Sequence, residues 1–338
     1  ASDPIRQHVT DDWRRWIAEN LMLESDPADL IRAMTLAGIK DEEAVREVNL
    51  AIRSPYLLGA ERLRNRLAKR DWLFSTYRKL NRLSPNSAQV ERHFKLSRAD
   101  FLNYYYSIGR PVIITGMMDD WPAMRKWNLD FFADHFAKCE VEVQMGRESD
   151  ARYETESERF VQKILFGEFI EKLRTGGKTN DFYLTANNNS SNKRALLELW
   201  QDIVQIPEYL TPIPEAGFIW MGPAGTVTPF HHDLTNNFMA QVMGRKRVKL
   251  APSWDTPLMR NEHHVFSKID GGSIQTTTSP TLQEPQFLEL ILEPGEILFL
   301  PVGCWHYVEG LEITVTMQFT NFVFDNDFSS FYKTYRDV

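Results

Sequence analysis

The last third of the chain limits the possible folds most. From Phe218 onward nearly every apolar run is short, rich in β-branched or aromatic residues, and closed by a turn: FIWM, TVTPF, FMAQVM, RVKLAP, FLELIL, ILFLP and EITVTMQF. Runs of this kind read as strands, and Gly244 and the Pro294-Gly295 pair mark turns between them. Many short strands at close spacing predict a barrel or double-sheet jelly roll. The same texture starts earlier. PVIIT (111–115) reads as a buried strand ahead of Gly116, and EVEVQM (140–145) alternates with period two, while 128–138 and 158–174 read as helices.

The first 85 residues have another pattern. Trp13, Trp16, Ile17 and Leu21 share one helical face. Asp26-Pro27 reads as an N-cap with proline in the first turn, and Gly38 as a stop. DEEAVREVNLAIR (41–53) opens with acids that suit a helix N-terminus, and Ser54-Pro55 breaks it. Residues 59–83 form a long helix with Leu63, Leu67 and Phe74 on one face. Its basic run (Arg62, Arg64, Arg66, Lys69, Arg70, Arg78, Lys79, Arg82) suits an acidic partner or nucleic acid, but a solvated face is the reading favoured here. The turn-rich LSPNSAQ (83–89) separates a helical region, 1–85, from a second domain, 90–338, which ends in a short C-terminal helix (DNDFSSFYKTYRDV).

Composition narrows the function classes. Of 338 residues, 39 are basic and 46 acidic, a net charge of −7, which argues against a general nucleic-acid binder. Two cysteines cannot form a disulfide framework, so a reducing cytoplasm is expected. No apolar run approaches the roughly 18 residues of a membrane span, and ASDPIRQHVTDD lacks a signal-peptide pattern.

Five of the eight histidines lie in the last third. The informative ones are in TVTPFHHDLTNN. Side chains alternate along a strand, so His231 and Asp233 share a face and His232 takes the other. One imidazole and one carboxylate make two thirds of a two-histidine, one-carboxylate triad for non-haem iron. The third ligand must come from another strand. Four histidines remain there: His232, His263, His264 and His306. His263 and His264 lie in the polar loop RNEHHVFSK. His306 follows a turn, an apolar strand and a tight glycine turn in PGEILFLPVGCW, an order that delivers a side chain to a barrel mouth.

An H-x-D strand followed by PGEILFLPVGCWH resembles the JmjC-type cupin family of iron(II)- and 2-oxoglutarate-dependent oxygenases. The resemblance covers roughly 90–325. It includes FLNYYYSIGRPVIITGMMDDWPAMRKW at the entry, TPFHHDLTNNFMAQVMGRKRV around the metal strand, and PGEILFLPVGCWHYVEGLEITVTMQF at the distal one. Within the family the motifs resemble those of the asparaginyl hydroxylase that acts on hypoxia-inducible factor. It implies a mainly β protein with a double-stranded β-helix (jelly-roll) core and an N-terminal helical extension, with His231, Asp233 and His306 as iron ligands. Three protein ligands leave three positions, two for chelating 2-oxoglutarate and one for O2. The products from the cosubstrate are succinate and CO2.

The cosubstrate's far carboxylate needs a cation and a hydroxyl, since an unpaired buried charge is costly. The resemblance assigns Lys246, Thr228 and Tyr183 to it. Alternation sets Lys246 opposite Arg245 and Arg247, so one of the two sets points inward. Asn237 and Gln318 resemble active-site amides of the family, although the relative has asparagine where this chain has Gln318. Arg147, Tyr153, Asn187, Met239 and Trp220 are candidate substrate contacts. Trp305 reads as barrel wall and Cys304 as a buried filler. The expected activity is hydroxylation of a protein or peptide side chain. Hydroxylation of a small molecule or free amino acid, lysine demethylation and a non-catalytic binding cupin are the alternatives. A homodimer is expected, as related enzymes dimerise through a C-terminal helix.

Overall fold

The structure is a computed structural model, and it describes residues 8–186, 189–276 and 281–338. Two compact units divide at Thr76/Tyr77. The first contains helices α1 (Asp11–Met22), α2 (Pro27–Leu36) and α3 (Asp41–Ile52) and most of α4 (Pro55–Arg82). The Thr10 hydroxyl caps α1 by accepting from the Trp13 amide, and Asp26 caps α2 ahead of Pro27. A small core of Ile17, Leu30, Met34, Ile39, Ala44 and Val48 joins α1 to α3.

The unit boundary falls inside α4, not at the 83–89 turn. The reason is Arg78, the buried residue of that helix. Its Nε donates to Asp255 at 2.6 Å and its Nη atoms donate to the Leu282 and Trp254 carbonyls, so the last turns of the helix belong with the second unit.

The second unit is built on two six-stranded sheets. In chain order its strands are β1 (Glu91–Phe94), β2 (Val112–Thr115), β3 (Glu140–Met145), β4 (Val161–Leu165), β5 (Phe182–Tyr183), β6 (Phe218–Gly222), β7 (Val227–His231), β8 (Asn237–Met243), β9 (Lys246–Ala251), β10 (Asn261–His263), β11 (Phe266–Ser267), β12 (Leu288–Leu292), β13 (Glu296–Leu300), β14 (Trp305–Gly310) and β15 (Thr314–Phe319). One sheet runs β1-β2-β13-β8-β15-β6 and the other β10-β11-β7-β14-β9-β12, the paired sheets of a jelly roll. Alternation sorts the side chains. On β8, Phe238, Ala240 and Val242 enter an aromatic-rich core outside the first sheet, while Met239 joins Val248, Leu250, Leu298 and Leu300 in another cluster.

Two sequence expectations need correction. Residues 158–174 are not one helix: β4 pairs antiparallel with β3, and a helix starts only at Phe166 and ends at Thr175. VQKIL suits a strand because Val143 and Val141 lie on the neighbouring strand, opposite Gln162 and Ile164. The C-terminal stretch is not a helix either. It holds one 3-10 turn at Ser329–Phe331, after which it lies along β10, with the His264 amide donating to Arg336 O and the Val338 amide to Glu262 O. The unpaired edge of β10 accepts it as an added strand.

Candidate metal centre and cosubstrate pocket

His231 ends β7 and stands directly opposite His306 of β14, their rings 4.1 Å apart. Asp233 lies two residues beyond the strand. Its Oδ1 is 3.8 Å from His231 Nε2, and its Oδ2 is 3.8 Å from His306 Nε2. The ligand atoms of all three lie within 4.8 Å of one another. Each ring is oriented from behind: His231 Nδ1 meets the Pro229 carbonyl at 2.9 Å and His306 Nδ1 the Cys304 carbonyl at 3.0 Å. A carbonyl only accepts, so both rings carry the proton on Nδ1 and turn the Nε2 lone pair toward Asp233, the tautomer a metal requires. Burial holds His306 below the usual imidazole range, hence neutral. Burial alone would raise the Asp233 carboxyl, but the imidazoles and the Asn237 amide, which donates at 3.0 Å, outweigh it and keep the group low.

A register shift makes the rest of the site. On β7, His231 pairs with His306 but Thr228 pairs with Val308, so two residues, Pro229 and Phe230, oppose Tyr307 alone. In a regular strand, residues three apart face opposite ways. The bulge turns both Thr228 and His231 into one cavity, and Phe230 packs outside with Trp305 and Tyr307. Pro229 has no amide to lose from the ladder, which suits it to the position.

The cavity measures about 740 Å3. Its wall includes the three candidate ligands with Thr228, Tyr183, Lys246, Asn237, Gln318, Met239 and Trp220. Lys246 opens β9 and is 2% exposed. Arg245 instead pairs with Glu312, and Arg247 with Glu309 and Glu289, so the lysine is the member of the trio that points inward. Among the described residues no carboxylate pairs with Lys246, and its Nζ contact is the Tyr183 hydroxyl at 3.2 Å. Burial pulls the ammonium down to about 7 and pushes the Tyr183 phenol up. A buried cation facing a cavity and two hydroxyls leaves room for an anion; among the described residues the Asn237 Oδ1 acceptor is also buried without a partner, which calls for a donor. Gln318 accepts from Trp220 Nε1 at 2.6 Å, which fixes both on one wall.

Other expected residues lie elsewhere. Arg147 is fully buried behind the wall, donating to the Val227 carbonyl at 2.7 Å and stacked on Tyr153 at 4.5 Å. Tyr153 also donates to Val227 O, so this pair supports β7 rather than lining the cavity. Asn187 lies outside the described residues. Trp305 is barrel wall, bonded to Thr256 at 3.0 Å, and burial pushes the Cys304 thiol up to about 12. His232, edge-on to Trp305, and His264, stacked on Tyr335, do line the cavity, so His232 is not turned away from it as strand alternation leads one to expect.

The sequence reading missed Glu154, Glu158, Leu234 and Phe266, which also line the cavity. Glu154 lies in a turn segment and Glu158 in a 3-10 helix (Ser157–Phe160) at the start of the stretch expected to be one helix, so no strand period marks either as inward. Glu154 is the notable one. Burial raises its carboxyl, its side chain keeps 15% exposure, and it has one ion-pair contact, 3.9 Å from Arg147.

Comparison with known proteins agrees with this geometry. A cupin-like domain model matches residues 98–330. Lysine-specific demethylase JMJ30 of Arabidopsis thaliana is 34% identical over 248 residues, 68% of this chain and 54% of its own length. Lysine-specific demethylase 8 of Xenopus tropicalis is 31% identical over 230 residues, 65% of this chain and 49% of its own length. Arginine-specific demethylase JMJ20 of Arabidopsis thaliana is 26% identical over 282 residues, 68% of this chain and 56% of its own length. The chain belongs to the JmjC-type cupin family of iron(II) and 2-oxoglutarate oxygenases. It spans about half the length of the curated relatives it matches. These relatives support the family as a whole and do not single out the asparaginyl hydroxylase that acts on hypoxia-inducible factor.

Proposed function

We propose that the chain is an iron(II)- and 2-oxoglutarate-dependent dioxygenase that hydroxylates a side chain of a protein or peptide. The observation that carries the reading is the pairing, in one cavity, of the His231/Asp233/His306 cluster with the unpaired buried Lys246. A donor set of two imidazoles and a carboxylate fits iron(II) and leaves coordination positions open. Bound iron, 2-oxoglutarate and O2 would supply the oxidant, with succinate and CO2 as coproducts. The Pro229 and Cys304 carbonyls orient the two imidazoles, and Asn237 holds the Asp233 carboxylate. Lys246 neutralises the far carboxylate of the cosubstrate, with Tyr183 and Thr228 as hydroxyl donors. Met239, Trp220 and the rest of the wall exclude water around the reacting carbon.

Demethylation is the second reading. Hydroxylation of an N-methyl carbon gives a product that releases formaldehyde, so the same centre serves. The demethylase names of the relatives favour it, as does Glu154, a weakly paired carboxylate on the wall that suits a basic side chain. Incubation with iron(II), 2-oxoglutarate and peptide pools, read by mass spectrometry, separates the readings. A gain of one oxygen on a peptide supports the first, and loss of a methyl group the second. Oxygen gained only by metabolites rejects both in favour of a small-molecule hydroxylase.

A further inference from the structure

Helix α4 presents a surface that the oxygenase centre does not use. At 100° per residue, Tyr56, Leu63, Leu67 and Phe74 fall within about 20° of one line along the helix. They form an apolar stripe, and they are 89%, 60%, 57% and 37% exposed. Arg64 flanks the stripe on one side, Arg66 and Arg70 on the other. Among the described residues the core of the first unit is drawn from α1 to α3 and the segments beside them and includes no α4 side chain. An isolated helix with such a stripe has little to hold it in water, because most helical stability comes from packing an apolar face.

We propose that this stripe is the interface between two copies of the chain, each α4 docking on the α1–α3 helices of its partner. Charge selects this occupant. Residues 55–76 carry five basic and two acidic side chains, net +3, whereas 8–54 carry six basic and ten acidic, net −4. Two α4 stripes facing each other would oppose like charges; α4 against the partner's α1–α3 brings opposite ones together. Within one copy the contact already has this sign, as Arg64 lies 3.6 Å from Glu24. A two-fold axis makes the contact reciprocal, so each copy gives and receives one stripe. The area suffices. Half-exposed aromatic and leucine side chains offer roughly 100 Å2 each. The four stripe residues, with exposed Leu36 and Leu50 on the acidic helices, supply about 600 Å2 per partner, the lower end of a stable interface.

Analytical ultracentrifugation of the full chain tests this. A dimer at micromolar concentration is expected, loosening as salt rises. Leu63→Glu/Leu67→Glu should sediment as a monomer. Arg66→Glu/Arg70→Glu, which alters only exposed charges and keeps the fold, should shift the equilibrium toward monomer and lose the salt dependence. Circular dichroism and melting establish that each variant is folded. A wild-type monomer at every concentration overturns the proposal, whether or not the helix retards an added single-stranded RNA or anionic vesicles. So does a dimer that survives both double substitutions.

Discussion

Lys246 gives the most quantitative handle on the site. It is an almost fully buried ammonium whose polar contact is one phenol hydroxyl, so the cosubstrate carboxylate would gain a charge-assisted hydrogen bond in a dry setting. Such a bond contributes about 1.5–3 kcal/mol. At 1.4 kcal/mol per tenfold, Lys246→Ala should weaken 2-oxoglutarate binding about 12- to 150-fold. The pH profile adds a second readout. Burial brings the ammonium down to about 7, below the ordinary lysine range, so in the free protein it is largely neutral above that pH. It must then take up a proton to hold the carboxylate, and affinity should fall about tenfold per pH unit above pH 7. Lys246→Arg keeps its charge and should lose that slope. The sign for stability is the opposite. The unfolded chain binds the proton between about pH 7 and 10 while the folded free protein does not, so stability rises with pH across that window. Below pH 7 both states are charged and the burial penalty is complete. Lys246→Met should therefore raise the melting temperature of the cosubstrate-free protein at neutral pH. Calorimetric titration of 2-oxoglutarate into manganese-loaded wild type and variants reads the affinities. Affinity within twofold of wild type in Lys246→Ala would refute the carboxylate assignment, and a pH-independent wild type would refute the depressed ammonium.

Three further outcomes follow from the packing. Arg78→Ala should lower stability by about 3–5 kcal/mol, because it strands Asp255 as a buried unpaired charge; urea unfolding measures it. Gly244 has φ +68°, and a Cβ there would meet the Ile313 carbonyl oxygen at 2.1 Å, so Gly244→Ala should destabilise by at least the roughly 1–2 kcal/mol of left-handed backbone and shift the melting temperature down. Glu154→Gln should weaken peptides with a basic target side chain several-fold in KM while leaving uncoupled 2-oxoglutarate turnover unchanged; an equal loss in both would make Glu154 part of the cosubstrate pocket instead.

The jelly roll was legible because its strands alternate locally. The strands from FIWM to EITVTMQF occupy the places their patterns mark, and the side chains of β8 divide between two faces as period two requires. The inward turn of Lys246 was legible for the same reason. What depended on distant pairing was not. VQKIL looks helical until EVEVQM is placed beside it, and the tail beyond Ser329 becomes strand-like only because β10 offers an edge. The convergence of Thr228 and His231 contradicts simple alternation and depends on a bulge that one strand alone does not announce. Arg147 has the chemistry of a substrate contact but is covered by Tyr153, whereas Glu154, one residue further, reaches the cavity.

The oxygenase centre itself is tested most directly by succinate formation from 2-oxoglutarate in the iron(II)-reconstituted chain, wild type against Asp233→Ala. Asp233 faces both imidazoles, so its loss should abolish turnover while the circular dichroism spectrum stays native. Succinate formation in the wild type and none in the variant is the predicted result. No succinate from the iron-loaded wild type, or equal amounts from both, would contradict a metal centre at His231, Asp233 and His306.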